Sequence, residues 1–515
     1  MKKFPIGIQT FSELINENYY YIDKTPLISQ LVEKGKYYFL SRPRRFGKSM
    51  LVSTLSSVFK GEQALFKDLY LEKNWDWSQQ YPVIDLSFGR GVASSVEILN
   101  ETFAAILNEI AENYDITLNQ QSHSNNRFAE LIHSLHKSTG QKVVVLVDEY
   151  DKPILDNIDK PEQALAMREA LKNIYSVIKD SDKYIKFALL TGVSKFSKVG
   201  LFSGLNNLQD ITLDSRYATL CGYTEAEIKH TFAEHLHDVN FEKLREWYNG
   251  YNFLGEKVYN PFDVLLYLDS KKFKNYWFET GSPSFLLKLI RERQYTIPNM
   301  ENVFLTEANL GSFDVDSITL ETLLFQTGYL TIERVEEFSD NFYYYLNYPN
   351  REVKASLNQY LLQDLTRVEL SQAAQSQMQL FKALDNDDLN ALQNTISTVF
   401  SAIPHDWYRK NQLSNYEGYY ASIVYSYFCA LGLTVIAEDS TNQGRIDLTV
   451  FFKNKVFIIE FKVLADTDKQ GRALAQIKAK NYQQKYLVEG KTIFLVGMEF
   501  DKQQRNLVFF EWEKV

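Results

Sequence analysis

After the apolar run Tyr37–Leu40 the chain reads SRPRRFGKSM, and a helical pattern follows at once. A strand, a tight loop and a helix in immediate succession, with Gly-Lys-Ser at the helix start, read as a phosphate-binding loop, with a surface basic turn as the simpler alternative. Gly47 lets the backbone approach a phosphate closely, and a helix N-terminus offers unpaired N–H groups at the positive end of its dipole. Lys48 is placed to reach β- and γ-phosphates, and the Ser49 hydroxyl to ligate Mg²⁺. The general pattern G-x-x-x-x-G-K-[ST] asks for glycine where this chain has Arg42. The candidate phosphate-binding residues are therefore Arg42, Pro43, Arg44, Arg45, Phe46, Gly47, Lys48, Ser49 and Met50.

A second run supports this loop. KVVVLVDEYD carries five apolar residues into Asp148 and Glu149. A buried strand that ends in an acidic pair is how a phosphate-loop enzyme holds Mg²⁺ and polarises a water. Asp148 is the candidate for the Mg²⁺ shell and Glu149 for the general base. A third strand, KFALLTG, ends at Thr191, which could sense a γ-phosphate, with Ser194 as a nearby competitor and a plain turn residue as the simpler alternative. Arg216 reads first as a surface arginine and second as an arginine finger. Phe11 and Tyr21 fit an adenine pocket or a core equally well.

The wider pattern sets the fold class. Apolar runs at Tyr37–Leu40, Val83–Leu86, Val143–Val147, Phe187–Leu190 and Ile211–Leu213 alternate with amphipathic segments such as Val96–Ile110 and Gln163–Ile178. Continuous apolar strands separated by helices predict a parallel α/β sheet covered on both faces. Beyond residue 222 helical patterns dominate, and Thr224-x-x-Glu227 is a capping box. The Tyr-rich stretch Tyr329–Tyr348 predicts a hairpin whose rings pack against neighbours. Four regions result: a core over 1–215, a helical region over 216–350, a helical linker over 351–400 and a second α/β domain over 401–515.

That last domain holds a second constellation. Asp447 begins one apolar strand, Lys453-Asn454-Lys455 forms a turn, and the next strand ends in Glu460-Phe461-Lys462. A period of two puts Glu460 and Lys462 on one face and Phe461 on the other, and a hairpin brings Asp447 beside them. Two carboxylates suit Mg²⁺, or Mn²⁺, as ligands. A neighbouring lysine can orient or help deprotonate a metal-activated water, which is the chemistry of phosphodiester hydrolysis. Glu417, at the start of a helix, could add a third carboxylate. A helix carrying Gln476, Ile477 and Tyr482 also bears Lys469, Arg472, Lys478, Lys480 and Lys485, with no acidic residue between Lys469 and Lys485; it is a candidate phosphate-backbone contact.

Taken together, these motifs resemble those of bacterial AAA-ATPase-like proteins fused to a C-terminal PD-(D/E)XK nuclease-superfamily domain. The resemblance rests on YIDKT (Tyr21–Thr25), RPRRFGKS, LVDEYDKP, the Thr191–Leu213 stretch, WYNGY (Trp247–Tyr251), YNP (Tyr259–Pro261), GRIDL (Gly444–Leu448) and EFK (Glu460–Lys462). Arg42 in the loop is the family's own form. The resemblance implies a P-loop, AAA-like core with the acidic pair on a strand beside the phosphate loop, and a helical, winged-helix-like lid. It also implies a restriction-endonuclease-like α/β domain. There Asp447 and Glu460 match metal ligands, Lys462 the catalytic lysine and Glu417 the first-helix acid.

Composition limits the partners. The 515 residues carry 56 basic and 65 acidic side chains, a net charge of −9, which argues against nucleic-acid binding over the whole surface. Residues 401–515 hold 15 basic and 13 acidic residues, a net +2, so binding there would be local. Two cysteines, Cys221 and Cys429, are too few for a disulfide framework, and the spacing of His230, His235 and His237 does not suit a metal site. No apolar run is long enough to cross a membrane, and the N-terminus lacks the apolar stretch of a signal peptide. A cytoplasmic protein is expected, with ATP and Mg²⁺ as cofactors, DNA as the favoured polymer partner, no membrane partner, and self-association left open. The function read from sequence is an ATP-hydrolysing protein that gates a Mg²⁺-dependent nuclease. The alternative is a nucleotide-switched DNA- or partner-binding regulatory ATPase with little or no nuclease activity.

Overall fold

A computed structural model of the chain describes residues 2–196, 205–278, 284–293, 295–301, 303–311, 319–403, 417–465 and 468–515. The chain divides into two compact units. The first comprises Met1–Thr280 and Phe304–Tyr345, and the second Gly281–Val303 and Leu346–Val515.

The first unit is built on a five-stranded sheet of β1 (Tyr37–Ser41), β2 (Val83–Ser87), β3 (Val143–Asp148), β4 (Ile185–Gly192) and β5 (Gln209–Asp210). The order is β2-β3-β4-β1-β5, and every pairing is parallel. All six residues of β3 are buried, as a strand covered on both faces requires. Four of the five expected strands lie where the apolar runs stand. The fifth is shorter and earlier than Ile211–Leu213. Thr212 Oγ1, not a main-chain carbonyl, accepts the Ser41 N–H, so the backbone ladder ends after two residues. The acidic strand β3 is next but one to β1, with β4 between them.

Helices follow the sequence pattern closely. Val96–Glu112 is opened by Ser95, whose side chain accepts the Ile98 N–H, and Pro161–Asp180 has proline in its first turn, where a missing N–H costs nothing. The capping box of Thr224 and Glu227 is present with both of its hydrogen bonds. The helices Glu225–Thr231, Phe241–Tyr248 and Pro261–Ser270 bury Ile228, Leu244, Tyr248, Val264 and Leu268 against Tyr20 and Ile22 from the N-terminal segment. Short antiparallel bridges join Tyr223 to Tyr259 and Tyr251 to Val258. The expected Tyr-rich hairpin is β7 (Thr331–Phe338) and β8 (Asn341–Asn347), turned by Ser339 and Asp340 at positive φ. A two-residue turn with both φ values positive matches the twist of an antiparallel pair. Tyr344 is buried, and the Tyr345 ring takes the Arg334 guanidinium at 3.8 Å.

The second unit is a mixed sheet of β9 (Thr434–Thr441), β10 (Gly444–Phe452), β11 (Lys455–Leu464), β12 (Thr492–Asp501) and β13 (Asn506–Lys514). The order is β13-β12-β11-β10-β9; only β11 and β12 run parallel. The helix Glu417–Ala430 packs on β9, β10 and β11, and the helix Arg472–Ala479 on β11 and β12. The basic helix ends at Ala479, well before Lys485, because Asn481 adopts φ 48° and turns the chain into a 3-10 segment, Tyr482–Glu489. The segment that precedes β6 (Val303–Thr306) is fastened into this unit by Glu301. Its carboxylate accepts from Lys354, Tyr425 Oη and the Ala437 N–H. Both cysteines are buried and free. Among the described residues, no helix is long and apolar enough to cross a membrane.

The all-buried β3 gives a direct test of the core. Leu146→Ala should cost about 2–5 kcal/mol through lost burial and the cavity left behind, read as a lowered urea midpoint. A cost under about 1 kcal/mol would mean that β3 is not enclosed on both faces.

Candidate nucleotide and nuclease sites

The first site forms where β1 passes into the helix Lys48–Lys60. Gly47 caps that helix at φ 91°, a left-handed conformation that favours glycine. The N–H groups of Lys48, Ser49 and Met50 are among those that have no acceptor within a helix. These three residues line a cavity of about 440 Å³, together with Arg44, Arg45, Phe46 and Gly47. The Lys48 ammonium donates to the carbonyls of Arg42 and Pro43, both at 2.9 Å. Burial lowers its pKa from the usual lysine value, and the nearby Asp148 carboxylate opposes that shift.

Asp148 connects the loop to the acidic strand. Its Oδ2 accepts the Ser49 hydroxyl at 2.6 Å. Its Oδ1 accepts the Thr191 hydroxyl at 2.7 Å and the Glu149 N–H at 3.0 Å. The serine hydroxyl donates its proton to the acid and keeps its lone pairs for a cation. Ser49 and Asp148 are the residues that would hold a Mg²⁺ ion here, where it would offset phosphate charge. Glu149 stands at φ 54° and lines the cavity. Left-handed backbone at a non-glycine residue is costly and collects at functional sites. Burial raises the Glu149 pKa above the usual carboxyl value, and the Asp148 charge adds to the shift.

Other expected residues fall in different places. Arg42 and Pro43 do not line this cavity. The Arg42 guanidinium donates to Ser41, Thr212 and Tyr217 carbonyls and lies 3.8 Å from the Phe253 ring centre. Thr191 does not line it either, but acts on it through Asp148. Arg216 is engaged by Asp214, two residues away. Tyr21 lines the cavity, whereas Phe11 packs behind it against Phe66 and Tyr21. His235 is taken up by Tyr20 Oη at 3.1 Å.

Sequence reasoning missed two residues here. Asp151 is fully buried on the cavity wall and accepts from the N–H and hydroxyl of Ser194 and the Val193 N–H. Its signal was a second aspartate three residues after Asp148. Lys24 donates to Glu227 at 2.6 Å and to the Thr219 carbonyl at 2.7 Å, binding the N-terminal segment to the capping box. No periodicity exposes a pair so distant in sequence.

The second site sits on the β10–β11 hairpin. Leu448 pairs with Ile459, so the register carries Asp447 toward Glu460. Asp447 Oδ2 accepts the Phe461 N–H at 2.7 Å. Glu460 is 1% exposed, and its Oε1 lies 3.5 Å from the Lys462 ammonium and accepts from the Gln476 amide. Its Oε2 is buried without a hydrogen-bond partner. An orphaned carboxylate oxygen is costly, and a bound cation would satisfy it. Burial, then the charge of Asp447, pushes the Glu460 pKa up to about 8. The Glu417 side chain lies outside the described residues. Among those residues, no group of three or more His, Cys, Asp or Glu is placed to hold a metal.

This domain has one further acid that was not foreseen. Glu499 interrupts the apolar run of β12 and accepts the N–H groups of Gly471 and Ala473, both at 2.9 Å. It caps the helix that carries Gln476. The apolar run itself was the signal, since a lone acid inside one needs a partner.

Residues 5–202 match the family described as predicted AAA-ATPase, and residues 415–510 match the PD-(D/E)XK nuclease superfamily. A protein of Azotobacter chroococcum mcd 1, described as an uncharacterized protein in the vnfD 5' region, is 49% identical over 515 residues, which is 100% of this chain and 99% of its own. The chain belongs to the AAA-ATPase-like family with a C-terminal PD-(D/E)XK nuclease-superfamily domain. Strands β1 to β4, the phosphate loop and Glu149 lie in the AAA-ATPase-like match, while β5 and the Leu220–Tyr223 and Pro261–Leu265 part of the cavity wall follow it; Asp447, Glu460 and Lys462 lie in the nuclease-superfamily match.

The elevated Glu460 pKa makes stability depend on pH. Between the ordinary carboxyl value of 4.5 and about 8, the folded chain keeps a proton that the unfolded chain has lost. Stability therefore falls as pH rises through that window. Glu460→Gln should flatten this dependence in denaturant titrations of the full chain. An unchanged slope would assign the effect to other groups.

Proposed function

We propose that the chain binds and hydrolyses ATP, and that this cycle gates a Mg²⁺-dependent phosphodiesterase acting on DNA. The observation that carries the reading is the Ser49–Asp148 hydrogen bond, which couples a phosphate loop to an acidic strand end beside a cavity large enough for a nucleotide, lined by Ser49 and Glu149. The phosphates would rest on the N–H groups of Lys48, Ser49 and Met50, with the Lys48 ammonium exchanging a carbonyl partner for a phosphate oxygen. Tyr21, Tyr223 and Phe262 give the same cavity aromatic walls for a base. Glu149 would take the proton of the attacking water, a role its raised pKa suits. Bound Mg²⁺ supplies charge neutralisation at the phosphates.

In the nuclease-superfamily domain, Asp447 and Glu460 would hold the cation and Lys462 would orient the water. When bound, the metal lowers the pKa of that water and stabilises the leaving oxyanion. Gln476 fixes the Glu460 carboxyl, and Glu499 fixes the helix that carries Gln476. One observation favours the second reading, a nucleotide-switched binding protein without cleavage. Burial and the Asp447 charge push the Glu460 pKa up to about 8, which disfavours the charged form that a metal ligand needs.

Lys48→Ala should abolish ATP binding, whereas Glu149→Gln should keep binding and slow hydrolysis about 10²–10⁴-fold. Asp447→Ala and Lys462→Ala should each remove Mg²⁺- or Mn²⁺-dependent DNA cleavage. Wild-type cleavage by both would defeat the nuclease assignment. Cleavage that ignores ATP and Lys48→Ala alike would defeat gating.

A further inference from the structure

Phosphoryl transfer gathers negative charge around the γ-phosphate, and a phosphate-loop enzyme offsets it with a lysine, a metal ion and an arginine. Arg216 does not supply that arginine. It is held by Asp214 at 2.5 Å and does not line the nucleotide cavity.

The cavity wall carries five basic side chains, those of Lys24, Arg44, Arg45, Lys48 and Lys152. Two are neutralised where they stand, Lys24 by Glu227 at 2.6 Å and Lys152 by Asp156 at 2.5 Å. Lys48 is held by two carbonyls. Arg44 and Arg45 are left. Both are exposed, and among the described residues neither is paired with a carboxylate, although Glu149, Asp151 and Asp156 share the wall. An arginine keeps its charge at any working pH, so the wall holds two cations without counter-ions.

The two are placed differently. Arg45 stands at φ 66°, and its guanidinium lies 4.8 Å from the Phe262 ring centre, at the aromatic end of the cavity. The Arg44 guanidinium has no ring or carboxylate partner among the described residues, whereas its main chain is fixed. Its carbonyl accepts the Trp277 indole N–H at 3.1 Å. The Pro43 carbonyl, in the peptide bond that enters Arg44, accepts from the Lys48 ammonium at 2.9 Å. The Arg44 Cα therefore stands beside the ammonium that is to meet the β- and γ-phosphates, within the length of an arginine side chain. A fixed backbone under an unpaired head gives reach with no partner to give up.

We propose that Arg44 is an arginine finger supplied in cis, so that one copy of the chain holds a complete hydrolytic site. In the step, the water oxygen bonds to the γ-phosphorus and the bond from that phosphorus to the β–γ bridging oxygen breaks. ADP leaves with the electron pair, and the water proton passes to Glu149. Arg44 donates to the bridging and γ-phosphate oxygens, where the charge collects. This assignment rests on the ATP-hydrolysing reading above.

The test uses the full chain with ATP and Mg²⁺ for turnover, and a fluorescent ATP analogue for binding. Arg44→Ala should lower kcat about 10³-fold and change analogue affinity by about tenfold at most. Arg44→Lys should recover only part of the rate, because an ammonium lacks the planar fork. Turnover per chain should stay constant on dilution. Adding Lys48→Ala chains, which carry Arg44 but cannot hold ATP, should not rescue Arg44→Ala. Wild-type kcat in Arg44→Ala, or a loss that lies wholly in analogue binding, overturns the finger. Rescue in the mixture, or turnover that falls on dilution, places the arginine on a neighbouring copy and overturns the cis assignment. Wild-type protein that hydrolyses no ATP refutes the ATP reading and this assignment with it, whereas equal hydrolysis by wild type and Arg44→Ala refutes the finger alone.

Discussion

A hydroxyl and a carboxylate, Ser49 and Asp148, hold the first unit's chemistry in place. The two residues come from segments 99 positions apart. They meet because β1 and β3 run parallel in one sheet, separated only by β4, so their C-terminal ends open on the same edge. In open parallel sheets that edge is where ligands bind. β4 contributes Thr191 from between them, and its hydroxyl holds the other oxygen of Asp148. Three neighbouring strands thus set a single carboxylate, and Glu149 follows it at a backbone angle that the next turn imposes. Gly192 explains why that turn is closed to larger residues. A Cβ there would stand 2.5 Å from the Tyr150 ring and from Asp151.

How much of this was legible depends on range. The strands β1 to β4, the long helices and the capping box could be read, because each rests on local periodicity or a three-residue spacing. Strand order could not, since it depends on which strand pairs with which. Nor could the direction of Arg42. A basic residue in a phosphate loop invites an anion, yet this guanidinium finds the adjoining Ser41 carbonyl and, from distant segments, the Thr212 and Tyr217 carbonyls and the Phe253 ring. Asp151 and Glu499 were missed for a related reason. Each is an acid held mostly by main-chain N–H groups, and although an acid out of place signals a need for partners, the N–H groups that supply them carry no sequence signature. Residues before β6 join the second unit through Glu301 against Lys354 and Arg291 against Asp364, pairings no local pattern reveals.

The charge pattern changes meaning once side chains are placed. The basic residues after Asp468 looked like a ready phosphate contact. Arg472 instead pairs with Asp468 at 3.1 Å, while Lys478 pairs with Glu513 and Lys485 with Asp439. Exposed pairs of this kind are weak and easily exchanged, so a phosphate can replace Glu513 at Lys478. Asp439 is a different case. It is buried, and also accepts from Tyr486 and Thr449. Pulling Lys485 away would leave a buried carboxylate short of a cation, which costs far more than parting a surface pair. Polymer binding at this face would therefore draw on Lys469, Arg472, Lys478 and Lys480 before Lys485.

The two carboxylate sites follow opposite designs. Asp148 is held by three hydrogen bonds before any ligand arrives. Its geometry is preset, and little has to move when a nucleotide enters. Glu460 has one amide, a lysine at 3.5 Å and an oxygen with no partner. It is buried against the charge of Asp447, which Lys462 only partly offsets, so its ionised form is disfavoured and a bound metal cation would favour it. A preset site favours rapid, repeated turnover, because reorganisation is already complete. A site that charges only on loading favours conditional activity, because metal affinity then includes the cost of removing a proton. On the function proposed above, the nuclease-superfamily site would be the more conditional of the two.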